Sequence, residues 1–117
     1  EQVTALQMVS ANLKQQLLFE TRLPPMLGHP LFRIWWETDE VAIRALCDKA
    51  VSFSVHKAQD CVFMPGADSK IMFIISEGQL HYMQDRETSR EAEAVSVEVH
   101  RGTRICEAAL WAKWKHV

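Results

Sequence analysis

Two hydrophobic periods divide this chain. From Glu1 to about Glu20, the apolar residues Val3, Leu6, Val9, Leu13 and Leu17 recur at helical spacing, with Gln7, Asn12, Lys14 and Gln15 around them. That pattern predicts a helix with a narrow apolar stripe. The stripe packs either on this chain's own domain or on a neighbouring subunit. Leu23-Pro24-Pro25 is expected to end the helix, because proline lacks an amide and disfavours helix in the residue before it. Gly28 and Pro30 prolong the break. Leu31, Phe32, Ile34, Trp35 and Trp36 form a dense apolar knot, read as a core anchor ahead of an interface hot spot. Thr38 is expected to cap a second helix running to about Lys49, with Asp39 and Glu40 in its first turn, where carboxylates suit the dipole. Val41, Ala42, Ala45 and Leu46 would form its inward face.

From Val51 the period becomes two. Val51, Phe53 and Val55 alternate with Ser52, Ser54 and His56, which predicts a half-buried strand. Cys61–Met64 reads as a second short strand, and Pro65-Gly66 with Ala67-Asp68 as a turn. The centre of the pattern is Lys70–Met83. Ile71–Ile75 is an unbroken apolar run, as in a strand buried on both faces, and Leu80 and Tyr82 alternate against His81. Glu77-Gly78 between them predicts a hairpin turn, since Gly78 adopts positive φ without a steric penalty. Asp85–Glu93 is a mixed-charge stretch expected to be a solvated loop. In the strand expected over Ala94–His100, Val95, Val97 and Val99 point inward, and Arg101-Gly102 turns the chain. Glu107 to about His116 is expected to be a helix. Its first amides would make an anion site, or the helix would merely plug one end of the sheet.

Composition narrows the classes. The chain has 117 residues, suited to one domain, of which 48% are hydrophobic and 24% charged. A net charge of −2 gives no field favouring nucleic acid or an anionic membrane. Cys47, Cys61 and Cys106 are far apart, with no CxxC spacing, so buried thiols in a reducing compartment are expected, with no zinc site. His56, His81 and His100 are scattered without ligand-like spacing, and no catalytic set stands out; a non-enzymatic role is expected. No run approaches the roughly 20 apolar residues that span a bilayer, and no signal peptide pattern appears. The chain opens with Glu1 and stops at Val117 inside a predicted helix, so it reads as a piece of something longer.

The ordered set of helix, proline break, Pro30-Leu31-Phe32, capped helix, strands, Met72-Phe73-Ile74 with Glu77-Gly78-Gln79-Leu80, and Glu107-Ala108-Ala109-Leu110 resembles the cyclic nucleotide-binding domain family. More narrowly it is similar to the cytoplasmic end of a voltage-gated or cyclic-nucleotide-gated cation channel. The resemblance covers about residues 13 to 117. It implies an α+β fold: a jelly-roll-like antiparallel β-roll over residues 30–117 after a linker-type helical segment, 1–29. A short cassette helix ends the segment, and the family's C-terminal lid is absent. It also implies a site at which helix amides cradle a cyclic phosphate, a glutamate takes the ribose hydroxyl, and an arginine pairs with the phosphate. Glu107 matches the glutamate, and Ala108, Ala109 and Leu110 continue the cassette. Cys106 stands where glycine is expected, and His116 about where arginine is expected. The ligand implied is cAMP or cGMP, with no other cofactor and no metal. Trp111 and Trp114 would fill ligand space or join the core. The parent implied is a potassium-type channel, multi-pass and homotetrameric, with subunit contacts through Val3–Leu27. The competing reading keeps the fold and makes the parent a soluble cyclic-nucleotide sensor, such as a kinase regulatory subunit.

Overall fold

A computed structural model describes residues 2–85, 87 and 95–117. Three helices come first: α1 (Gln2–Leu27), α2 (Pro30–Thr38) and α3 (Glu40–Lys49). Among the described residues six short strands follow: β1 (Asp68–Ser69), β2 (Phe73–Ile74), β3 (Gln79–Met83), β4 (Ser96–His100), β5 (Arg104–Ile105) and β6 (Trp114–Lys115), with a 3₁₀ turn at Glu107–Leu110 before the last. The class is mixed α+β. The chain forms two compact units, Glu1–Ser54 and Val55–Val117.

In the helical unit, α1 runs through Pro24 and Pro25 to Leu27, where an earlier end was expected. Proline's φ is compatible with a helix; what it removes is an amide bond per ring. That loss is offset because Leu23 and Met26, in this last stretch, are core residues. His29 then caps α2: its Nδ1 accepts from the Leu31 amide at 3.1 Å, and Pro30 occupies the first helical position, where no amide is needed. The apolar knot is therefore a helix, with mixed burial. Phe32 is buried and Trp36 lies 5.5 Å from the Phe19 ring, while Leu31, Ile34 and Trp35 are exposed.

Thr38 is not the cap of α3. It is the last residue of α2, and its hydroxyl donates back to the Ile34 and Trp35 carbonyls at 2.9 and 3.1 Å. Asp39 takes the capping role, its Oδ1 accepting from the Ala42 amide at 3.0 Å. Both residue types cap well, and the chain places the boundary one residue later. The inward face also shifts. Ile43 and Cys47 are buried, Ala42 and Leu46 are half-buried, and Val41 is 78% exposed with Ala45 also outside. Arg22 closes the far end of α3, donating at 2.7 Å to the Cys47 carbonyl and at 3.4 Å to that of Asp48. These are last-turn carbonyls that the helix itself leaves unpaired. The Cys47 thiol contacts Met26 Sδ at 3.6 Å. Burial pushes its pKa above the ordinary thiol value, and the Arg22 charge partly opposes this. Leu6, Val9, Leu13 and Leu17, the predicted stripe of α1, are all exposed, and the side chain of Val3 lies outside the described residues.

The second unit is made of three antiparallel pairs, β1–β6, β2–β5 and β3–β4. The pairs are nested, first with last and second with fifth around a central hairpin. The expected hairpin across Gly78 is not formed as drawn. Gly78 has φ +81 and the chain does turn there, but β2 bonds to β5 and β3 bonds to β4. An apolar run specifies burial and leaves the partner strand open, which is why the pairing differed. Ile71–Ile75 is also less buried than a two-faced strand: Ile75 is buried, Ile71 is exposed, and only Phe73–Ile74 is strand. Leu80 and Tyr82 alternate with exposed His81, as expected. In β4 only Val99 is buried, while Val95 and Val97 are exposed.

Two predicted strands are not strands here: residues 51–56 and 61–64 have no ladder partner among the described residues. Phe53 and Val55 are exposed there, so alternation alone did not secure a partner. Most of Asp85–Glu93, and Ala94 with it, falls outside the described residues. The turns at Pro65-Gly66 and Arg101-Gly102 are present, with φ +80 and +83 at the glycines.

The burial pattern of α3 gives a direct prediction. Ile43→Ala removes a fully buried side chain and is expected to lower stability by about 2–4 kcal/mol. Val41→Ala, on the exposed face, should change it by less than about 0.5 kcal/mol. Urea midpoints of the two variants check the pair; the sequence-based inward face predicts the reverse order.

Candidate functional site

The predicted cassette residues lie in the second unit, between β5 and β6. Where a helix to about His116 was expected, there is one 3₁₀ turn, Glu107–Leu110, closed by the Ala109 amide on the Cys106 carbonyl at 3.1 Å. The chain leaves the helical path because Trp114–Lys115 pairs with Asp68–Ser69 as β6. A sheet ladder over long separation outweighs the helix propensity of a short segment, which is marginal alone. So brief a turn has little of the aligned dipole that a long helix would direct at an anion. Trp111 and Trp114 are both exposed, so neither fills a ligand space nor joins the core.

Cys106 opens the turn in the left-handed region, φ 62 and ψ 30. That region favours glycine, and a side chain there is strained by roughly 1–2 kcal/mol. The backbone at this position thus has the geometry expected of a glycine, with a thiol added to it. Glu107, Ala108 and Ala109 follow it, all half-buried.

His116 is separated from Cys106 by the whole turn, yet the structure brings the two together. The His116 Nδ1 lies 3.6 Å from Cys106 Sγ. The imidazole is buried and stacked on Phe63, with ring centroids 3.9 Å apart and planes 11° apart. Its backbone is fixed at both polar groups. The His116 amide donates to the Ala67 carbonyl at 2.9 Å, and its carbonyl accepts from the Gly66 amide at 2.8 Å. The next residue is held too, as the Tyr82 hydroxyl donates to the Val117 carbonyl at 3.3 Å.

Ser69 completes the cluster, and nothing in its sequence context singles it out. It is 4% exposed, with its enclosed Oγ beside the Cys106 thiol. Continuing the register from Asp68↔Lys115 puts Ala67 opposite His116, so the pleat places Ser69 and His116 on one face of the ladder. Burial pushes the Cys106 thiol above its ordinary pKa, and the nearby Ser69 hydroxyl acts weakly in the other direction. Phe63 was likewise missed, being read as part of a strand that does not form.

An open groove of about 1080 Å³ lies elsewhere in this unit, between residues 56–65 and the β3–β4 hairpin. Cys61, Phe63, Leu80, Tyr82, Val99 and Ile105 are among its walls, whereas Cys106, Glu107, Ala108, Ala109 and His116 are not. Among the described residues, no group of three or more His, Cys, Asp or Glu side chains clusters as a metal site would, and no helix is long and apolar enough to cross a membrane. No family model, curated protein or solved structure matches the chain.

Two outcomes follow from the local geometry. Cys106→Gly and Cys106→Ala both delete the thiol, but only glycine relieves the left-handed strain. The glycine variant should be more stable than the alanine variant by about 1 kcal/mol, read from thermal or urea unfolding. The three thiols should also separate by reactivity. Cys61 is exposed and should be alkylated first by iodoacetamide at neutral pH. Half-buried Cys106 follows slowly, and Cys47 reacts only on unfolding, the order being read by peptide mass spectrometry.

Proposed function

We propose that this chain is a regulatory domain of the cyclic nucleotide-binding-homology type, at the cytoplasmic face of a cation channel, and that its ligand subsite is filled by its own side chains. The resemblance described above carries the family assignment. The nested strand pairs support a jelly-roll-like β-roll, since a long hairpin folded back on itself pairs strands first-with-last in this way. The turn after β5, opened by a left-handed residue and followed by Glu107-Ala108-Ala109-Leu110, supports the location of the cassette.

The observation that weighs most is the packing of His116. A phosphate-pairing cation has to face the ligand with its donors free. Here the group at the arginine position is an imidazole stacked face to face on Phe63, with Nδ1 directed at Cys106. An imidazole also lacks the forked, permanently charged contact of a guanidinium. Cys106 adds a side chain where the backbone has to approach the phosphate closely. The role that fits is an intrinsic plug: a domain that modulates gating by the state of its own cassette, with the exposed stripe Leu6, Val9, Leu13 and Leu17 available to neighbouring subunits.

Isothermal titration of the chain with cAMP and with cGMP tests the filled-site reading. Neither nucleotide should give a saturable isotherm. A saturable heat that disappears in His116→Ala would overturn the plug and restore a ligand-gated domain. The channel assignment is tested separately by the coding sequence upstream of this segment. A set of membrane-spanning segments there fits the channel, and a docking segment for a kinase partner sinks it in favour of a soluble sensor.

A further inference from the structure

Two features of the chain complement each other. Among the described residues, β3 has one edge with no strand beside it, and residues 51–55 have a strand pattern but belong to no ladder. We propose that residues 51–55 of one copy insert as a third strand along the free edge of β3 in a second copy, and reciprocally, so that the chain forms a strand-exchanged dimer. This goes beyond the regulatory reading and does not rest on it, and the surface used is not the α1 stripe.

The acceptor is defined by main-chain geometry. β3 pairs with β4 alone, in a two-stranded sheet. The Gln84 amide donates to the Val95 carbonyl at 3.0 Å and continues the register, so Leu80 and Tyr82 also direct their main-chain groups at β4. Gln79, His81 and Met83 direct theirs away from it. Among the described residues, no main-chain bond reaches those outward groups. The edge runs along the groove of about 1080 Å³, whose walls include every residue of 79–85 and every residue of 56–65. A groove over one face of a strand would meet alternate residues. Meeting consecutive ones places it beside the main chain. The β3 sequence QLHYM has no lysine, proline or carboxylate of the kind that keeps exposed edges from pairing.

The donor is Val51-Ser52-Phe53-Ser54-Val55, five residues like β3, with β-branched or aromatic side chains at alternate positions. Phe53 is 51% exposed and Val55 96%. Laid beside β3, its apolar side chains fall on the face of Leu80 and Tyr82, where the Phe63 ring lies 6.2 Å from that of Tyr82. Its serines fall on the face of His81. Charge agrees with this placement. Among the described residues lining the groove, Asp60, Asp85 and Glu98 outnumber Lys57. The inserted segment is itself uncharged and is flanked by Lys49 and Lys57.

The occupant is a second copy, because the same chain lacks the length to reach. The segment ends at Val55 and the groove wall begins at His56. No residue is left between them for the two-residue turn that a hairpin needs. Reciprocal exchange fills two grooves through one two-fold interface, which is the geometry of a domain-swapped dimer. It pairs the free edge of β3 and covers Phe53 and Val55 in one step.

Sedimentation equilibrium of the full chain over a concentration series tests the dimer, and a reversible monomer–dimer equilibrium is expected. Phe53→Asp puts a charge on the inserted face. His81→Pro deletes an outward amide and spares the ladder to β4. Each should weaken dimerisation at least tenfold, whereas Leu13→Asp, on the α1 stripe, should leave it unchanged. Hydrogen exchange of the unaltered chain keeps the test decisive if a variant fails to fold. The His81 and Met83 amides should exchange at least tenfold faster when the dimer is diluted to monomer. A chain that stays monomeric throughout, a dimer that persists in Phe53→Asp or is lost in Leu13→Asp, or equal exchange of those two amides in monomer and dimer overturns the proposal.

Discussion

The second unit depends on the bonding of the chain's far end to the turn before β1. The Gly66 amide on the His116 carbonyl, the His116 amide on the Ala67 carbonyl and the two-residue β1–β6 ladder make that closure. It joins positions far apart in sequence, and such contacts incur most of their loop entropy before any bond is gained. The inner pairs reduce that cost. Once β3 and β4 are zipped across five facing positions, β2 and β5 are brought close, and then β1 and β6. Each pair shortens the effective loop for the next. The candidate site follows from the same closure, because Cys106, Ser69 and His116 come from three stretches that meet only when the outermost pair forms.

The helical unit is built on a different constraint. Its core is small: Leu23, Met26, Phe32, Ile43 and Cys47, with His29 buried among its polar groups. Much of its specificity lies at helix ends. His29 and Asp39 cap the starts of α2 and α3, and Arg22 occupies the carbonyls that end α3. Arg44 joins the outside, bonding Glu40 at 2.8 Å and lying 4.2 Å over the Phe19 ring. That pair is exposed and adds little energy, though it restrains the long side chain on the aromatic face. In this unit the boundaries are defined by hydrogen bonds more than by area.

Local chemistry in the sequence was a good guide to turns and a poor one to partners. Gly66, Gly78 and Gly102 mark turns because each adopts a φ that glycine tolerates, and that requirement is local. The length of α3 and the alternation of Leu80 and Tyr82 were legible for the same reason. Which strand β2 would join was not legible, since Phe73 and Ile74 state only that they avoid water. Pro24 and Pro25 misled because their effect is a lost bond, and core packing at Leu23 and Met26 is a tertiary matter. Thr38 and Asp39 compete for one cap, and propensity does not choose between them. At the site, Cys106 and His116 came from a resemblance. Phe63 and Ser69 left no trace, being ordinary residues whose meaning comes from neighbours distant in the chain.

The nesting of the ladders has a consequence for how the second unit opens. Outer pairs with two residues a side break more readily than the central five-position hairpin, so partial unfolding should proceed from the outside inward. The first event releases β6 and frees His116 from Gly66 and Ala67, separating the imidazole from the thiol while the inner ladders persist. Amide hydrogens at the rim would then exchange with solvent well before those at the centre, and the corner formed by Cys106 and His116 would be the least durable part of the unit. Any contact that keeps this corner closed therefore also keeps the outermost pair zipped.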